Sequence, residues 1–299
     1  MSVRIITDSS AGLPEEVIEE LGITVLDLHV MDAETKDGTV EQSTSGLSAL
    51  ELAAAFGRQM ELSRDEDGDE CGVLAIHLSR ELSSTWSAAV TASGVFPDTV
   101  RVIDSGTAGM VQGAAAMAAA RLALDGADLD ECYDAAQDTL ARGRTWVYVR
   151  STEELRKSGR ISTATVVLST ALLATKPIMA IQAGRLEMVG RTRTQTKAFT
   201  KLVELVQERA DGQPCFVAIQ HHEAEDAASA LKALLEAVLP EGTSYMELPL
   251  TEVVSVHTGS GAIGVSVVFS TEQEEDVPAK PHALGGFAAP FGARRPADS

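Results

Sequence analysis

The sequence predicts an α/β fold whose first sheet is largely parallel. Short β-branched runs alternate with Ala- and Leu-rich stretches of helical spacing. Three strand ends in the first half deliver Asp or Ser/Thr clusters before a helix start, which is where parallel sheets place ligands. Hydrophobic residues make up 44% and charged residues 23% of the 299 residues, as in a packed domain. That length allows one large or two ordinary domains.

Strands are predicted where β-branched and aliphatic residues run together between turn residues, and helices where Ala and Leu recur at helical spacing. The predicted strands are 3–7, 23–30, 72–77, 99–103, 146–149, 177–181, 215–220, 244–248 and 265–269. The predicted helices are 14–21, 49–62, 84–93, 106–125, 129–142, 194–210 and 224–238. At the first helix, Pro14 suits the first turn, and Glu15 and Glu16 favour the positive end of the helix dipole.

Two segments need separate interpretations. Residues 163–181 have the length of a membrane span, but they contain Lys176, Pro177 and several hydroxyls, so they predict a helix followed by a buried strand. The segment "SRDEDGDE" at 63–70 predicts a solvated loop, because the twelfth position of a calcium loop counted from Asp65 has no Glu.

Composition excludes several classes of function. A net charge of −20 and a pI near 4.6 disfavour nucleic acid and anionic membranes. Cys71, Cys132 and Cys215 stand far apart with no CxxC spacing, which favours a reducing, cytoplasmic compartment and disfavours zinc. The chain start has no signal-peptide pattern. Adjacent His221 and His222 follow a strand and point in different directions, so no shared metal is expected.

A glycine motif near the end of the chain, "HTGSGAIGV" at 257–265, matches the dinucleotide-binding fingerprint. A strand pattern follows it instead of a helix, which disfavours that function. We interpret it as a tight turn whose Gly259 and Gly261 amides approach an anion beside His257. An ordinary glycine turn between strands is the structural alternative.

Hydroxyl and basic residues mark three further turns. "STSGLS" at 43–48 and "HLSRELSST" at 77–85 are typical of helix N-caps, or two such turns jointly donate hydrogen bonds to one small anion. In "ELRKSGRIS" at 154–162, the basic residues and Gly159 are typical of a helix end. Arg160 follows that glycine and is placed to direct its guanidinium toward a cleft.

Six segments, in order, resemble the DegV family. The family pattern T-D-S-[ST] corresponds to residues 7–10, T-S-Q-P-S to 44–48, S-S-x-L-S-G-T-Y to 79–86, D-S to 104–105, L-x-x-G-G-R-I-S to 155–162, and H-x-G-P-G to 257–261. Together they cover residues 3–270. The resemblance implies a two-domain α/β protein: an N-terminal mostly parallel sheet with flanking helices (1–150), and a second α/β domain with a mixed sheet (151–271). Residues 272–299, rich in Pro, Gly and Ala, predict a disordered tail.

The resemblance also implies a function. The family is known as fatty-acid-binding proteins, some of which are the acyl-carrying subunit of a bacterial fatty-acid kinase. It implies an apolar tunnel for the acyl chain, with the carboxylate near the domain junction, and no metal, cofactor or catalytic residue. By position, Thr44, Ser79 and His257 would contact the head group, with Arg160 nearby. Further candidates from the same segments are Thr7, Asp8, Ser9, Ser45, Ser83, Thr85 and Thr258.

Four departures from the family pattern leave the head-group serine open. Ser260 stands for the usual Pro, Gly46-Leu47 for Gln-Pro, Ser84 for Gly, and Arg80 for a second Ser. Any serine of the 79–85 run is therefore a candidate, and neither the acyl chain preference nor the oligomeric state is predicted.

Elementary energetics agree with a lipid site. Each methylene removed from water contributes about 0.8 kcal/mol, so a long chain contributes about 10 kcal/mol before ordering costs. A buried carboxylate then needs several donors.

Two alternative functions remain: a phosphate- or nucleotide-handling enzyme that uses Asp8 with the serine and glycine turns, and a lipid-sensing regulatory protein.

Overall fold

The structure, a computed structural model, describes residues 2–34, 40–67, 71–151, 153–157, 159–161 and 175–272. It confirms an α/β protein with a parallel first sheet and a mixed second sheet. Residues 162–174 lie outside the described residues, and with them most of the helix predicted before the strand at 177–181. The predicted tail from residue 273 lies outside them as well. No helix in the described ranges is both long and apolar enough to span a bilayer.

The first sheet has four parallel strands in the order β2-β1-β5-β6. They are β1 (Ser2–Asp8), β2 (Thr24–Leu26), β5 (Cys71–His77) and β6 (Val100–Asp104). The flanking helices are α1 (Glu15–Leu21), α2 (Ala49–Asp67), α3 (Thr85–Ser93), α4 (Met110–Leu124) and α5 (Leu129–Ala141). Both sheet faces are covered, with Ile5 and Leu74 packing in one core cluster and Ile6 and Val73 in another. This explains why the central strands are apolar without alternation.

Residues 23–30, predicted as one strand, form parts of two different strands. β2 pairs with β1, whereas β3 (His29–Glu34) pairs antiparallel with β4 (Val40–Ser45) in a separate hairpin. Between them the amide of Leu28 donates to Ser9 Oγ at 3.0 Å, which takes Leu28 out of the ladder. β4 was missed because its sequence, "VEQSTS", is polar and the hairpin is two-stranded and exposed.

The second sheet has six strands in the order β11-β10-β12-β7-β8-β9. They are β7 (Gly143–Tyr148), β8 (Lys176–Gln182), β9 (Arg185–Thr192), β10 (Phe216–His221), β11 (Ser244–Pro249) and β12 (Ile263–Val268). β10 and β11 are parallel and the other pairs antiparallel. Its helices are α6 (Glu153–Lys157), α7 (Gln195–Ala210), α8 (Glu225–Glu236) and α9 (Glu252–Thr258).

The register of β7 places it in the second sheet, although the predicted domain boundary at residue 150 assigned it to the first domain. β7 pairs with β12 and β8, so the chain changes sheets between α5 and β7. The cause is physical: Trp146 and Tyr148, alternate residues of β7, pack in the core beneath α7 and α8. The boundary itself stays a prediction.

Other elements also differ from the prediction. α2 continues to Asp67, so part of the acidic segment at 63–70 is helical instead of a loop. α4 begins at Met110 instead of residue 106, because Gly106 and Gly109 have φ of 59° and 79°, outside the helical region. β9 and α9 were not predicted.

Candidate functional site

A cavity of about 120 Å³ lies between the two sheets. On the side of the first sheet it is lined by the turns after β1, β5 and β6 and by the end of β4 from the separate hairpin. The face of β7, β8, β10 and β12 turned away from α7 and α8 lines it from the second sheet, with α9 at its side. Most of its wall is aliphatic: Leu28, Leu78, Leu82, Val147, Leu155, Ile181, Leu186, Leu250, Val253 and Val254. The arrangement suits an alkyl group.

Polar residues from distant parts of the chain meet on this wall. Thr44 on β4 and His257 on α9 are 213 positions apart, yet Thr44 Oγ1 and His257 Nε2 lie 2.7 Å apart. Ser83 and Arg160 line the same cavity. We call Thr44, Ser83, Arg160 and His257 the mouth cluster. Of the four residues first named for the head group, three are brought together here.

Burial and a neighbouring cation set the charge of His257, which lies in the last turn of α9. Burial lowers its pKa to about 4, and the nearby Arg160 charge lowers it in the same direction. The imidazole is therefore neutral at pH 7. Its Nδ1 is buried, and the described part of the chain has no hydrogen-bond partner for it. Within the mouth cluster, positive charge is supplied by Arg160, while His257 serves as a neutral hydrogen-bonding group.

Arg160 is positioned by a helix end and a loop. Gly159 takes φ 68° and its amide donates to Arg156 O at 3.2 Å, the termination of α6 that the sequence predicted. Arg160 Nε donates to Leu82 O at 3.2 Å, in the loop after β5. The guanidinium thus contacts the same loop that carries Ser83.

The structure separates Ser79 from Ser83. Ser79 is fully buried, and its hydroxyl donates to Gly184 O at 2.8 Å, in the turn between β8 and β9, outside the apolar cavity. Ser83 lines the cavity, with its Oγ 3.0 Å from Thr85 Oγ1, whereas Thr85 does not line it. The serine that joins the mouth cluster is therefore Ser83. Residue type alone gave no signal to distinguish them.

The glycine turn has a structural role. The Gly259 amide donates to Ser255 O and the Gly261 amide to His222 O, both at 2.8 Å. These bonds end α9 and start β12, and neither glycine lines the cavity. The predicted approach of their amides to a carboxylate does not occur in this arrangement, because both donors are used. A helix precedes the motif and a strand follows it, which is the reverse of a dinucleotide-binding loop.

The turn after β1 forms a closed hydrogen-bond network around Asp8. Its buried carboxylate accepts from Ser10 N at 3.1 Å, Ser10 Oγ at 2.5 Å, His77 Nδ1 at 2.9 Å and Leu78 N at 3.0 Å. Burial opposes ionisation, but the His77 bond and charge, with the other donors, outweigh it and lower the pKa of Asp8. Asp8 therefore holds the turn together.

The neighbours of Asp8 also make their hydrogen bonds within the chain. Thr7 Oγ1 donates to Ile76 O at 2.8 Å, and Ser9 Oγ accepts from Leu28 N. Of this motif, Ser10 reaches the cavity, although it was not predicted to do so. Ser45 and Thr258, two of the further candidates from the sequence, also line the cavity.

Sequence reasoning missed three further polar residues on the cavity wall: Thr145, Gln220 and Ser266. They stand on β7, β10 and β12 and face the first sheet. Side chains alternate between the two faces of a strand, so the sequence places these residues on the face opposite Val217 and Val265. The sequence does not show which of the two faces meets the cavity.

Two departures from the family pattern face each other. A Cβ at Gly46 would lie 2.7 Å from Thr85 Oγ1 and 3.1 Å from Ser84 Oγ. Gly46 therefore allows β4 to approach the loop of Ser83 closely. The larger residue at 84 is accommodated by the smallest residue at 46.

Comparison with known proteins gives one family. The family model for DegV, a family of uncharacterised proteins, matches residues 2–270. A DegV domain-containing protein of Corynebacterium glutamicum is 56% identical over 92% of this chain and 97% of its own length. A second, of Streptomyces coelicolor, is 35% identical over 89% of this chain and 98% of its own.

Solved structures agree. A crystal structure of a DegV family protein from C. glutamicum has a TM-score of 0.85 at 56% identity, covering 92% of this chain and 99% of that one. A Thermus thermophilus DegV family protein described for fatty-acid binding has a TM-score of 0.79 at 26% identity, covering 90% of this chain and 100% of that one. DegV of Bacillus subtilis, described as a fatty-acid-binding protein, has a TM-score of 0.77 at 26% identity, covering 90% of this chain and 99% of that one.

Proposed function

This chain belongs to the DegV family, and from that premise we propose that it binds a long-chain fatty acid in the cavity between its sheets. The observation that carries the proposal is the meeting of an aliphatic wall with the mouth cluster. The aliphatic wall matches an alkyl chain, and the mouth cluster matches a carboxylate. Fatty-acid binding by the Thermus and Bacillus relatives supports the same assignment.

The mouth cluster has the donors that a carboxylate needs. Arg160 offers a positive charge and the Ser83 hydroxyl can donate one hydrogen bond. Thr44 and the neutral imidazole of His257 share one bond with each other, so this pair can donate one further hydrogen bond. Charge-assisted hydrogen bonds from Arg are roughly twice as strong as neutral ones. We therefore assign the carboxylate to this cluster, with Ser83 in place of Ser79.

The volume of the cavity requires an adjustment on binding. Sites for organic ligands are usually about 300–1,000 Å³, and this one is about 120 Å³. We expect side chains at the wall, such as Val253 and Val254 on α9, to move apart as the acyl chain enters.

We further propose that the protein acts as a carrier that presents the bound carboxylate to a partner kinase for acyl-phosphate formation. Support comes from the position of the carboxylate site, between the turns of one domain and a short helix of the other. A lipid-sensing regulator would use the same site and differ in its partner. Immobilised protein loaded with oleate, exposed to a lysate of its source and analysed for a kinase, separates the two.

The phosphate- or nucleotide-handling enzyme is disfavoured by the hydrogen bonds of Asp8. All four contacts to its carboxylate come from the chain itself, which leaves it poorly placed to hold a metal. Within the described ranges no group of three or more His, Cys, Asp or Glu side chains is placed to share an ion. Thermal stabilisation by ATP with magnesium would favour the enzyme.

The test of the binding proposal is mass spectrometry of lipid released from denatured protein, followed by titration of delipidated protein with palmitate and oleate. We expect one fatty acid per chain. Arg160→Gln should weaken binding while Arg156→Gln, an exposed arginine on α6, should not. Purified protein that carries no lipid and binds neither acid would contradict the proposal.

A further inference from the structure

The cavity has a second group of polar side chains, on the β-strand floor and the turn above it. Ser266 on β12 is the register partner of Thr145 on β7 and of Ala218 on β10, and Gln220 lies two residues after Ala218 on the same sheet face. Ser10 faces them from the first sheet. Ser10, Gln220 and Ser266 are each 2% exposed. We call these three residues the floor cluster.

The floor cluster is gathered around Gly109, at the start of α4. The Gly109 amide donates to Ser10 O at 2.9 Å, and Met110 N donates to Gln220 Oε1 at 3.1 Å. A Cβ on Gly109 would lie 3.0 Å from Gln220 Oε1 and 3.2 Å from Ser266 Oγ. A side chain at this position would therefore fill the space that separates the three polar groups.

The hydrogen-bonding capacity of the floor cluster is only partly used. Because Gln220 Oε1 accepts from Met110 N, its Nε2 donors point elsewhere. Within the described residues neither Gln220 Nε2 nor the Ser266 hydroxyl has a hydrogen-bond partner, and both side chains line the cavity. Ser10 Oγ lies 2.5 Å from Asp8 Oδ1 and 3.1 Å from Gln112 Oε1, both acceptors, so its single proton is used and it can act toward a ligand only as an acceptor.

A saturated alkyl chain would leave these groups unpaired, and a buried polar group without a partner is unfavourable. A second carboxylate fits poorly, because Ser10 presents an acceptor and the ionised Asp8 lies directly behind it. A hydroxyl fits all three, since it accepts from Gln220 or Ser266 and donates to Ser10.

We propose that the floor cluster is a subsite for a hydroxyl group on the acyl chain, so that the preferred ligands include monohydroxylated fatty acids. The inference rests on the proposed fatty-acid binding and narrows its ligand class. The carboxylate stays with Arg160 at the mouth cluster, and the hydroxyl lies at whichever chain carbon reaches Gly109.

The test compares stearate with a positional series of monohydroxystearates, each titrated by competition against a fluorescent fatty acid. We expect at least one isomer to bind roughly three- to tenfold more tightly than stearate, the gain of about one well-made hydrogen bond. Ser266→Ala should abolish that preference, so that no isomer binds more tightly than stearate does to the same variant. Circular dichroism and the midpoint of thermal unfolding show that the variant is folded.

Ser2→Ala is the matched control, because Ser2 has a buried hydroxyl without a partner among the described residues at the opposite end of β1 from Ser10. It should keep the preference. Stearate binding with no preference for any isomer, or a preference that survives in Ser266→Ala, overturns the subsite while leaving the proposed function intact. Failure of stearate and of every isomer to bind counts against the proposed function itself.

Discussion

Two polar groups, the one around Asp8 and the mouth cluster, resemble each other in residue type but not in hydrogen bonding. Around Asp8, the carboxylate accepts four bonds, and Gln112 links Thr7 and Ser10. In the mouth cluster, His257 and Thr44 share one bond, and the buried Nδ1 of His257 has none within the described part of the chain.

The difference separates a stabilising network from a binding site. Asp8, at the end of β1, meets partners from β1 and β5 within a single sheet, so it is saturated by its own fold. The mouth cluster is assembled from β4, the loop after β5, the residues after α6, and α9, and its polar atoms converge on a cavity. Buried groups whose hydrogen bonds are all made within the chain make the fold rigid. Unused donors and acceptors that face an apolar cavity are available to a ligand.

The largest expected effect is on the stability provided by the hydrogen bonds around Asp8. Asp8→Ala leaves His77 Nδ1, Leu78 N and the Ser10 groups buried without their acceptor, so the free energy of unfolding should fall by about 3–5 kcal/mol. Urea denaturation measures it. Asp27→Ala, at an exposed aspartate in the next turn, should stay within about 0.5 kcal/mol of wild type. A loss below about 1 kcal/mol for Asp8→Ala would show that the network does not hold the turn.

The next effect is on the mouth cluster. Arg160→Gln should lower the affinity for palmitate roughly ten- to a hundredfold, because a charge-assisted bond to the carboxylate is lost. Calorimetric titration measures it, with Arg156→Gln as the control. Equal affinity in both variants would move the carboxylate away from Arg160.

A smaller effect concerns the pH dependence of stability. The pKa of His257 is about 4 in the folded chain, below the ordinary value of 6.5 that applies to the unfolded chain, so the unfolded chain binds this proton more tightly. The contribution is fully present above pH 6.5 and is lost as pH falls toward 4. Between pH 7.5 and pH 5, wild type should lose about 1–2 kcal/mol more than His257→Gln, measured by urea denaturation at each pH. Parallel losses in the two proteins would exclude His257 as the cause.

The smallest effects distinguish the two serines. Both substitutions remove hydrogen bonds within the chain and should lower stability, but Ser83→Ala alone should also lower palmitate affinity, by about 1 kcal/mol. Thermal unfolding and titration of both variants measure the two quantities. If Ser79→Ala is the variant that binds poorly, then the loop must rearrange on binding and bring Ser79 to the ligand.

Much of the fold could be predicted because periodicity and turn chemistry are local. The α/β class and most helices and strands of the described residues followed from apolar runs and Gly, Pro and Asp punctuation. The exceptions have non-local causes. β4 is polar and depends on its hairpin partner. β2 and β3 separate because Leu28 N bonds to Ser9 Oγ instead of to a strand. β7 joined the second sheet because its alternate residues fit the core under α7 and α8.

The sequence by itself identified three residues of the mouth cluster, Thr44, Arg160 and His257, from their positions in segments that resemble the family. Tertiary structure alone decided that Ser83 and not Ser79 joins them, that the glycine amides are used by α9 and β12, and that Asp8 is saturated. The reason is physical: in most of these cases the hydrogen-bond partner lies in a different element, 39 positions away for Gly261, 69 for Asp8 and 105 for Ser79. Residue identity specifies the donors and acceptors, but only packing decides which of them remain open to a ligand.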